Sequence, residues 1–226
     1  LLNETTAVGL TPNVISYNSA IGACSRGGRW KTALVLLKEM TTVGVIPNVI
    51  SYTSAIDACA KGGQWETALS LLKEMATVGV IPNVFSYTSA IGACSRGGQW
   101  ETALALLKEM TTVGLSPNVV SYKSAIGACS RSGQWEKVLV LFNEMIATAL
   151  ALLEEMATVR LTPDIICYTS AIDACAKGEQ WEEALALLKE MPAVGLTPNV
   201  VSYSSAIDAC AKGEQWKEAL ALLEEM

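Results

Sequence analysis

From Val14 onward the chain alternates two helical patterns joined by glycine turns. In the segment VISYTSAIDACAKGGQWETALSLLKEMATVGVIPN, from Val49 to Asn83, Tyr52, Ile56 and Cys59 recur at helical spacing. Ala55 and Ala58 are small neighbours that allow another helix to approach closely. Gly62-Gly63 ends this first helix. A second helix starts near Trp65, with Glu66 in the first turn, where the helix dipole favours an anion. Its apolar stripe is Ala68, Leu69, Leu71, Leu72 and Met75, and Gly79 and Pro82 stop it.

The pattern is periodic. Trp30, Trp65, Trp100 and Trp135 are 35 residues apart, as are Trp181 and Trp216, and Cys24, Cys59, Cys94 and Cys129 keep the same step, as do Cys175 and Cys210. A helix pair of this length cannot bury its apolar faces alone, so the pairs stack around one continuous core. The predicted fold is all-α, an α-solenoid of helix–turn–helix repeats. Counting from Val14, Val49, Val84, Val119, Ile165 and Val200 divides the chain into a tail, 1–13, and repeats 14–48, 49–83, 84–118, 119–164, 165–199 and 200–226. The incomplete units at both ends are those expected of a segment of a longer protein.

Composition then narrows the chemistry. The chain has 226 residues, seven Cys, seven Met, six Trp and no His. Without His there is no His-based general acid–base pair, no Ser-His or Cys-His nucleophile and no His-containing metal site. A Cys at one fixed place per repeat is a small core residue. Equivalent positions on stacked helices lie roughly 9–10 Å apart, beyond disulfide reach. Cys167 is the odd seventh, near the start of its repeat. There is no zinc-type Cys spacing and no Gly-rich phosphate loop, so neither a metal nor a cofactor is expected, and the chain is not expected to be an enzyme. No run is long and apolar enough to span a membrane.

The formal net charge is −6, but it is segregated. From each repeat's first position to the basic residue before the turn there are seven cations and three anions, +4; the rest carries nine cations and nineteen anions, −10. The basic residues before the turn are Arg26, Lys61, Arg96, Arg131, Lys177 and Lys212, one per repeat. Such a file suits the phosphates of a polyanion. A cation near a helix C-terminus also complements the helix dipole.

A 35-residue helical pair carrying V-[IV]-S-Y-x-S-A-I, a basic residue before a Gly turn, an A-L-x-L-L-x-E-M second helix and a closing G-[LVI]-x-P-[ND] resembles the pentatricopeptide repeat family over essentially the whole chain. The tetratricopeptide repeat differs in period and in the place of its Trp. The resemblance implies a right-handed superhelix that binds single-stranded RNA at about one base per repeat, in mitochondria or chloroplasts. It places base-edge reading on the fifth and last residues of each repeat: Asn18 with Asn48, Thr53 with Asn83, Thr88 with Asn118, Lys123 with Asp164 and Thr169 with Asn199, with Ser204 left single. Short hydroxyl and amide side chains offer directional donors and acceptors without bulk. The second residues, Ile15, Ile50, Phe85, Val120, Ile166 and Val201, are expected to sandwich the bases; the other reading makes them core residues. The fifth-position hydroxyls could instead serve as helix caps. By the family's code the target is pyrimidine-A-A-any-A, with Lys123 assigning no base.

The fourth repeat is irregular. Trp135 and Trp181 are 46 apart, an excess of 11 lying around ALALLEEM at Ala149–Met156. Eleven residues overshoot three helical turns by only ~20°. The stripe of Val138, Leu139, Leu141, Phe142 and Met145 therefore continues through Leu150, Leu152, Leu153 and Met156, predicting one long helix from about Trp135 to Thr158 that projects from or shifts the stack. Arg160 replaces the usual Gly stop.

Three functions compete. The first is an RNA-binding module in organelle RNA processing, stability or translation. The second is a protein- or peptide-binding helical scaffold, favoured by the acidity. The third is the RNA-binding part of a processing enzyme, or a module partnering one, with catalysis outside this segment.

Overall fold

The computed structural model describes residues 12–155 and 164–226. Most of the expected leading tail, and the positions of Met156, Thr158 and Arg160, lie outside the described residues. Among those described there are twelve α-helices and no strand. The chain forms two compact units, Leu1–Pro117 and Asn118–Met226. The first contains α1 (Val14–Arg26), α2 (Trp30–Thr42), α3 (Val49–Lys61), α4 (Trp65–Thr77), α5 (Val84–Arg96) and α6 (Trp100–Thr112). The second contains α7 (Val119–Arg131), α8 (Trp135–Glu155), α9 (Ile165–Lys177), α10 (Trp181–Ala193), α11 (Val200–Lys212) and α12 (Trp216–Glu225). Odd helices are the first of each pair and even helices the second.

Within each unit, each first helix packs on the next first helix, and each second helix packs on the first helices of its own and the following pair. The core follows the predicted stripes: in the second repeat Tyr52, Ala55, Ile56, Ala58, Cys59, Ala68, Leu71, Leu72 and Met75 are buried, while Leu69 is half-buried. Each Cys is a free thiol; all but the half-buried Cys24 are buried. Burial pushes the thiols of Cys59, Cys94 and Cys129 up to about 11, so they stay protonated and unreactive at neutral pH.

Two contacts repeat along the chain. Tyr17, Tyr52 and Tyr87 each donate their hydroxyl to Glu39, Glu74 and Glu109 of their own second helix at 2.9 Å, tying the pair together. Between pairs, the glycine directly after a first helix meets the Trp of the preceding repeat. A Cβ built on Gly62, Gly97, Gly178 or Gly213 would stand 2.2–2.4 Å from the nearest indole carbon of Trp30, Trp65, Trp135 or Trp181. Gly62 and Gly97 have φ of −82° and −81°, which any residue adopts, so the indole alone demands glycine there. The second glycine of the turn serves a different need: Gly63 is left-handed at φ 72°. In the last two repeats Glu179 and Glu214 take that left-handed place at φ 58° and 59°, a strain of about 1–2 kcal/mol each.

The 11-residue excess lengthens α8 to 21 residues, Trp135–Glu155. The long helix is present over its described part, with Val138, Leu141, Phe142 and Met145 buried. The next pair nevertheless stacks through the usual contact, Trp135 against Gly178. The Phe142 ring also meets Tyr168 edge to face, with centroids 4.9 Å apart.

Gly97→Ala is expected to destabilise the fold by about 1–3 kcal/mol, the usual cost of overpacking. Chemical denaturation measures it, and a cost within about 0.5 kcal/mol would show that the indole yields freely. Burial, then the bond to Glu74, raises the Tyr52 hydroxyl to about 12. Its folded value lies above the unfolded value near 10. The stabilisation is therefore complete below pH 10 and fades as pH climbs toward 12. Thermal unfolding against pH should show this alkaline loss diminished in Tyr52→Phe.

Candidate nucleic-acid interface

The last residue of each repeat is the N-cap of the next first helix, a role the sequence reading did not assign. Asn48 Oδ1 accepts from the Ile50 and Ser51 backbone N–H groups at 3.0 and 3.1 Å. Asn83 accepts from Ser86 at 3.0 Å, Asn118 from Ser121 at 2.9 Å and Asn199 from Ser202 at 3.0 Å. Asn13 and Asp164 cap α1 and α9 in the same way. The fifth-position residues are not these caps; they stand one turn in, on the first helices. Asn and Asp are preferred N-caps because a short side-chain oxygen reaches back to orphan amide donors. The signal was visible as Asn-Val-x-Ser at the start of five of the six first helices, a capping pattern with Ser at the third helical place.

The third-place serine completes a reciprocal cap. Ser51, Ser86, Ser121 and Ser202 are fully buried, and each hydroxyl accepts from its capping Asn's backbone N–H; those of Ser86, Ser121 and Ser202 also stand 2.9–3.1 Å from that Asn's Oδ1. Ser51, Ser86 and Ser202 also reach the preceding repeat's fifth residue. Thr53 Oγ1 lies 2.7 Å from Ser86 Oγ, and Thr169 Oγ1 lies 3.0 Å from Ser202 Oγ. Asn18 accepts from Ser51 at 2.5 Å and donates from Nδ2 to Asn48 Oδ1 at 3.2 Å. The structure thus brings Asn18 with Asn48, Thr53 with Asn83, and Thr169 with Asn199 into single hydrogen-bonded groups. Thr88 is half-buried on α5, and Ser204 is exposed on α11.

Beside these pairs lie the second-place side chains, which are not core residues. Ile15, Ile50, Phe85, Val120, Ile166 and Val201 are between 56% and 70% exposed. An apolar side chain presented at the same place in every repeat is a surface built for contact.

The basic file is present but partly engaged. Lys61, Lys177 and Lys212 pair with Asp57, Asp173 and Asp208 one turn earlier at 2.6–2.7 Å. Arg96 instead donates from Nε to the Ala60 carbonyl of the preceding first helix at 2.6 Å. Asp57 also accepts from Ser25, and Asp173 accepts from Ser130 at 3.2 Å, so these carboxylates join neighbouring repeats. Arg26 and Arg131 are exposed at the ends of α1 and α7. An exposed i, i+4 pair contributes only about 0.3–0.5 kcal/mol, so an arriving phosphate competes readily for the lysine.

In the fourth repeat the two residues expected to read a base are paired with each other. Lys123 Nζ donates to Asp164 Oδ2 at 2.8 Å, while Asp164 Oδ1 caps α9. Burial alone would raise the Asp164 carboxyl, but the hydrogen bonds from Lys123 and Cys167 outweigh it and hold it below the usual range. Cys167 stands where the other five described repeats carry the third-place serine. Burial raises its thiol to about 12, which makes it a packing residue.

Comparison with known proteins agrees with this geometry. The family model described as the PPR repeat family matches residues 12–61, 47–96, 82–131 and 163–212, and that described as the PPR repeat matches 120–147 and 201–226. No curated protein matches. Among solved structures, the PPR domain of Arabidopsis thaliana protein-only RNase P 1, in complex with tRNA, aligns over 90% of this chain and 96% of its own, at 16% identity and a TM-score of 0.68. The pentatricopeptide repeat protein PPR10, in complex with an 18-nt psaJ RNA element, aligns over all of this chain at 23% identity and a TM-score of 0.56. This chain spans about a third of PPR10, 36% of its length. Nuclear proteinaceous RNase P 2 from A. thaliana aligns over 78% of this chain and 38% of its own, at 16% identity and a TM-score of 0.66. At these identities the likeness is one of fold, an α-solenoid of helical pairs. The family profile, the 35-residue period and the capped first helices agree: the chain belongs to the pentatricopeptide repeat family.

Proposed function

We propose that the protein binds single-stranded RNA sequence-specifically, about one base per repeat, in RNA processing, stability or translation within a mitochondrion or chloroplast. The observation that carries this is the recurring juxtaposition of an exposed apolar side chain at the second place with a partly accessible polar pair. Bases stack on apolar side chains, and their edges are read by hydrogen bonds. Relatives of the same fold crystallised with RNA support the reading.

The caps explain what the last residue offers a base. Asn83 Oδ1 is committed to the Ser86 amide and hydroxyl, so the free end of its carboxamide is the donor Nδ2. A donor suits the unprotonated ring nitrogen of adenine or cytosine. It repels the ring N–H of guanine or uracil. Asp at the same place would keep the cap and offer an acceptor, reversing the choice. Asp164 is such a residue, but Lys123 occupies its second oxygen, in keeping with a repeat that selects no base. The proposed target is pyrimidine-A-A-any-A, with the N-terminus toward the 5′ end. The second helices carry most of the acidic excess, which limits non-specific RNA binding.

Selection from a random single-stranded RNA pool at fixed salt should enrich an A-rich motif. Asn83→Asp should move one base from A to G by about tenfold or more; unchanged enrichment of A would sink the assignment. Asp57→Asn should release Lys61, raise affinity, and steepen the logarithmic salt dependence by about 0.7, the weight of one phosphate contact on a single strand. Titrations at several salt concentrations measure that slope.

A further inference from the structure

The six basic residues of the file are of two kinds, set by what stands one helical turn before them. Lys61, Lys177 and Lys212 follow Asp57, Asp173 and Asp208, whereas Arg26, Arg96 and Arg131 follow Gly22, Gly92 and Gly127. Each lysine therefore has a carboxylate at 2.6–2.7 Å. A lysine can turn from it to a phosphate, but the carboxylate stays behind. Asp57 is held by Ser25 and Asp173 by Ser130, buried hydroxyls that donate from the preceding repeat. A phosphate arriving there meets one cation and one pinned anion, so on balance no counterion is released. The arginines have no such companion. Arg26 lies back over its glycine, with Nη1 3.8 Å from where a Cβ on Gly22 would stand. Arg96 is anchored at one edge, Nε donating to the Ala60 carbonyl at 2.6 Å. That leaves both terminal amines of a planar fork for the oxygens of a phosphate. Neither Arg26 nor Arg96 is ion-paired among the described residues.

We propose that the grip on the RNA backbone is confined to the arginine repeats, the first, third and fourth, and that the aspartate before each lysine makes the second, fifth and sixth repeats electrically neutral toward phosphate. This rests on the single-stranded RNA binding above and deepens it. The uneven file has a physical logic. Phosphate is the same in every RNA, so each contact with it adds affinity without selecting a sequence. A full file of six unopposed cations would hold any single strand. Neutralising three of them leaves the second and fifth repeats to act through their base contacts, between neighbours that hold the backbone. The arginine suits the gripping repeats for a second reason. Its fork meets two phosphate oxygens at once, where an ammonium acts as a point charge. Arginine with glycine and lysine with aspartate thus go together in all six repeats.

The test titrates the wild-type chain and its variants with a synthetic single-stranded RNA carrying the enriched motif, at several salt concentrations. The wild-type slope of log affinity against log salt is expected at about 2, the weight of three single-strand phosphate contacts, and not about 4, that of six. Arg96→Gln should weaken binding about tenfold, as loss of a charge-assisted hydrogen bond does, and flatten the slope by about 0.7. The paired change Asp57→Asn with Lys61→Gln removes a cation and an anion together, and should leave affinity within about twofold and the slope unchanged. Circular dichroism checks the fold, and the paired change with the wild-type slope carries the test if Arg96→Gln unfolds. A paired change that weakens binding and flattens the slope as Arg96→Gln does overturns the division between repeats, as does a wild-type slope near 4. A wild-type chain that binds no single-stranded RNA overturns instead the function beneath it.

Discussion

Within each of the two compact units, an indole lying where a side chain would otherwise stand holds one repeat to the next. Trp30, Trp65, Trp135 and Trp181 occupy the space that a Cβ would need on Gly62, Gly97, Gly178 and Gly213. This contact sets how closely the end of one first helix approaches the start of the preceding second helix. The distance matters because side chains from consecutive repeats meet at the helix starts: Thr53 comes from one pair and Ser86 from the next. A shift of about 1 Å between repeats would carry 2.7–3.1 Å hydrogen bonds out of range. Packing at the turn and hydrogen bonding at the helix start are opposite ends of one first helix, linked by its rigidity.

The long fourth repeat shows how narrow that constraint is. Eleven additional residues separate Trp135 from its glycine, yet the indole still meets Gly178 and Ser130 still bonds Asp173. Extra length in a second helix is absorbed because the contacts made with the next pair by Trp135 and Phe142 precede the added residues. α8 is longer than the other second helices, while the contacts at Trp135 and Ser130 retain the pattern of the regular repeats. What distinguishes this repeat chemically is the Lys123–Asp164 ion pair.

Much of this was legible in the sequence, for reasons that differ by feature. Period, helix pairs and core stripe followed from the spacing of Trp30, Trp65, Tyr52, Ile56 and Met75, because burial imposes periodicity. Phe85 and its equivalents were undecided between core and contact surface, since an apolar residue at a helix start fits either; their exposure distinguishes the two. The ion pairs on Lys61, Lys177 and Lys212 were also in reach, because Asp precedes Lys by four residues in only these repeats and Gly stands there before Arg26, Arg96 and Arg131. The hidden part was connectivity across repeats. Nothing within one 35-residue unit reveals that Ser86 hydrogen-bonds the threonine of the repeat before it, or that Gly62 is small on behalf of Trp30.

The capping role of the last residue has a consequence for how such a protein can change its preference. The side chain to which we assign base selection also closes the end of a helix, so under that assignment only a residue able to do both can stand there. Asn and Asp cap equally well, and exchanging them inverts the hydrogen-bonding sense at almost no cost in stability. Gln, Lys or Ala would forfeit the cap, at about 1 kcal/mol each time. The vocabulary available at this place is therefore short for reasons unrelated to nucleic acid. Drift in target sequence is channelled into a few discrete exchanges, each tolerated by the scaffold before any ligand tests it.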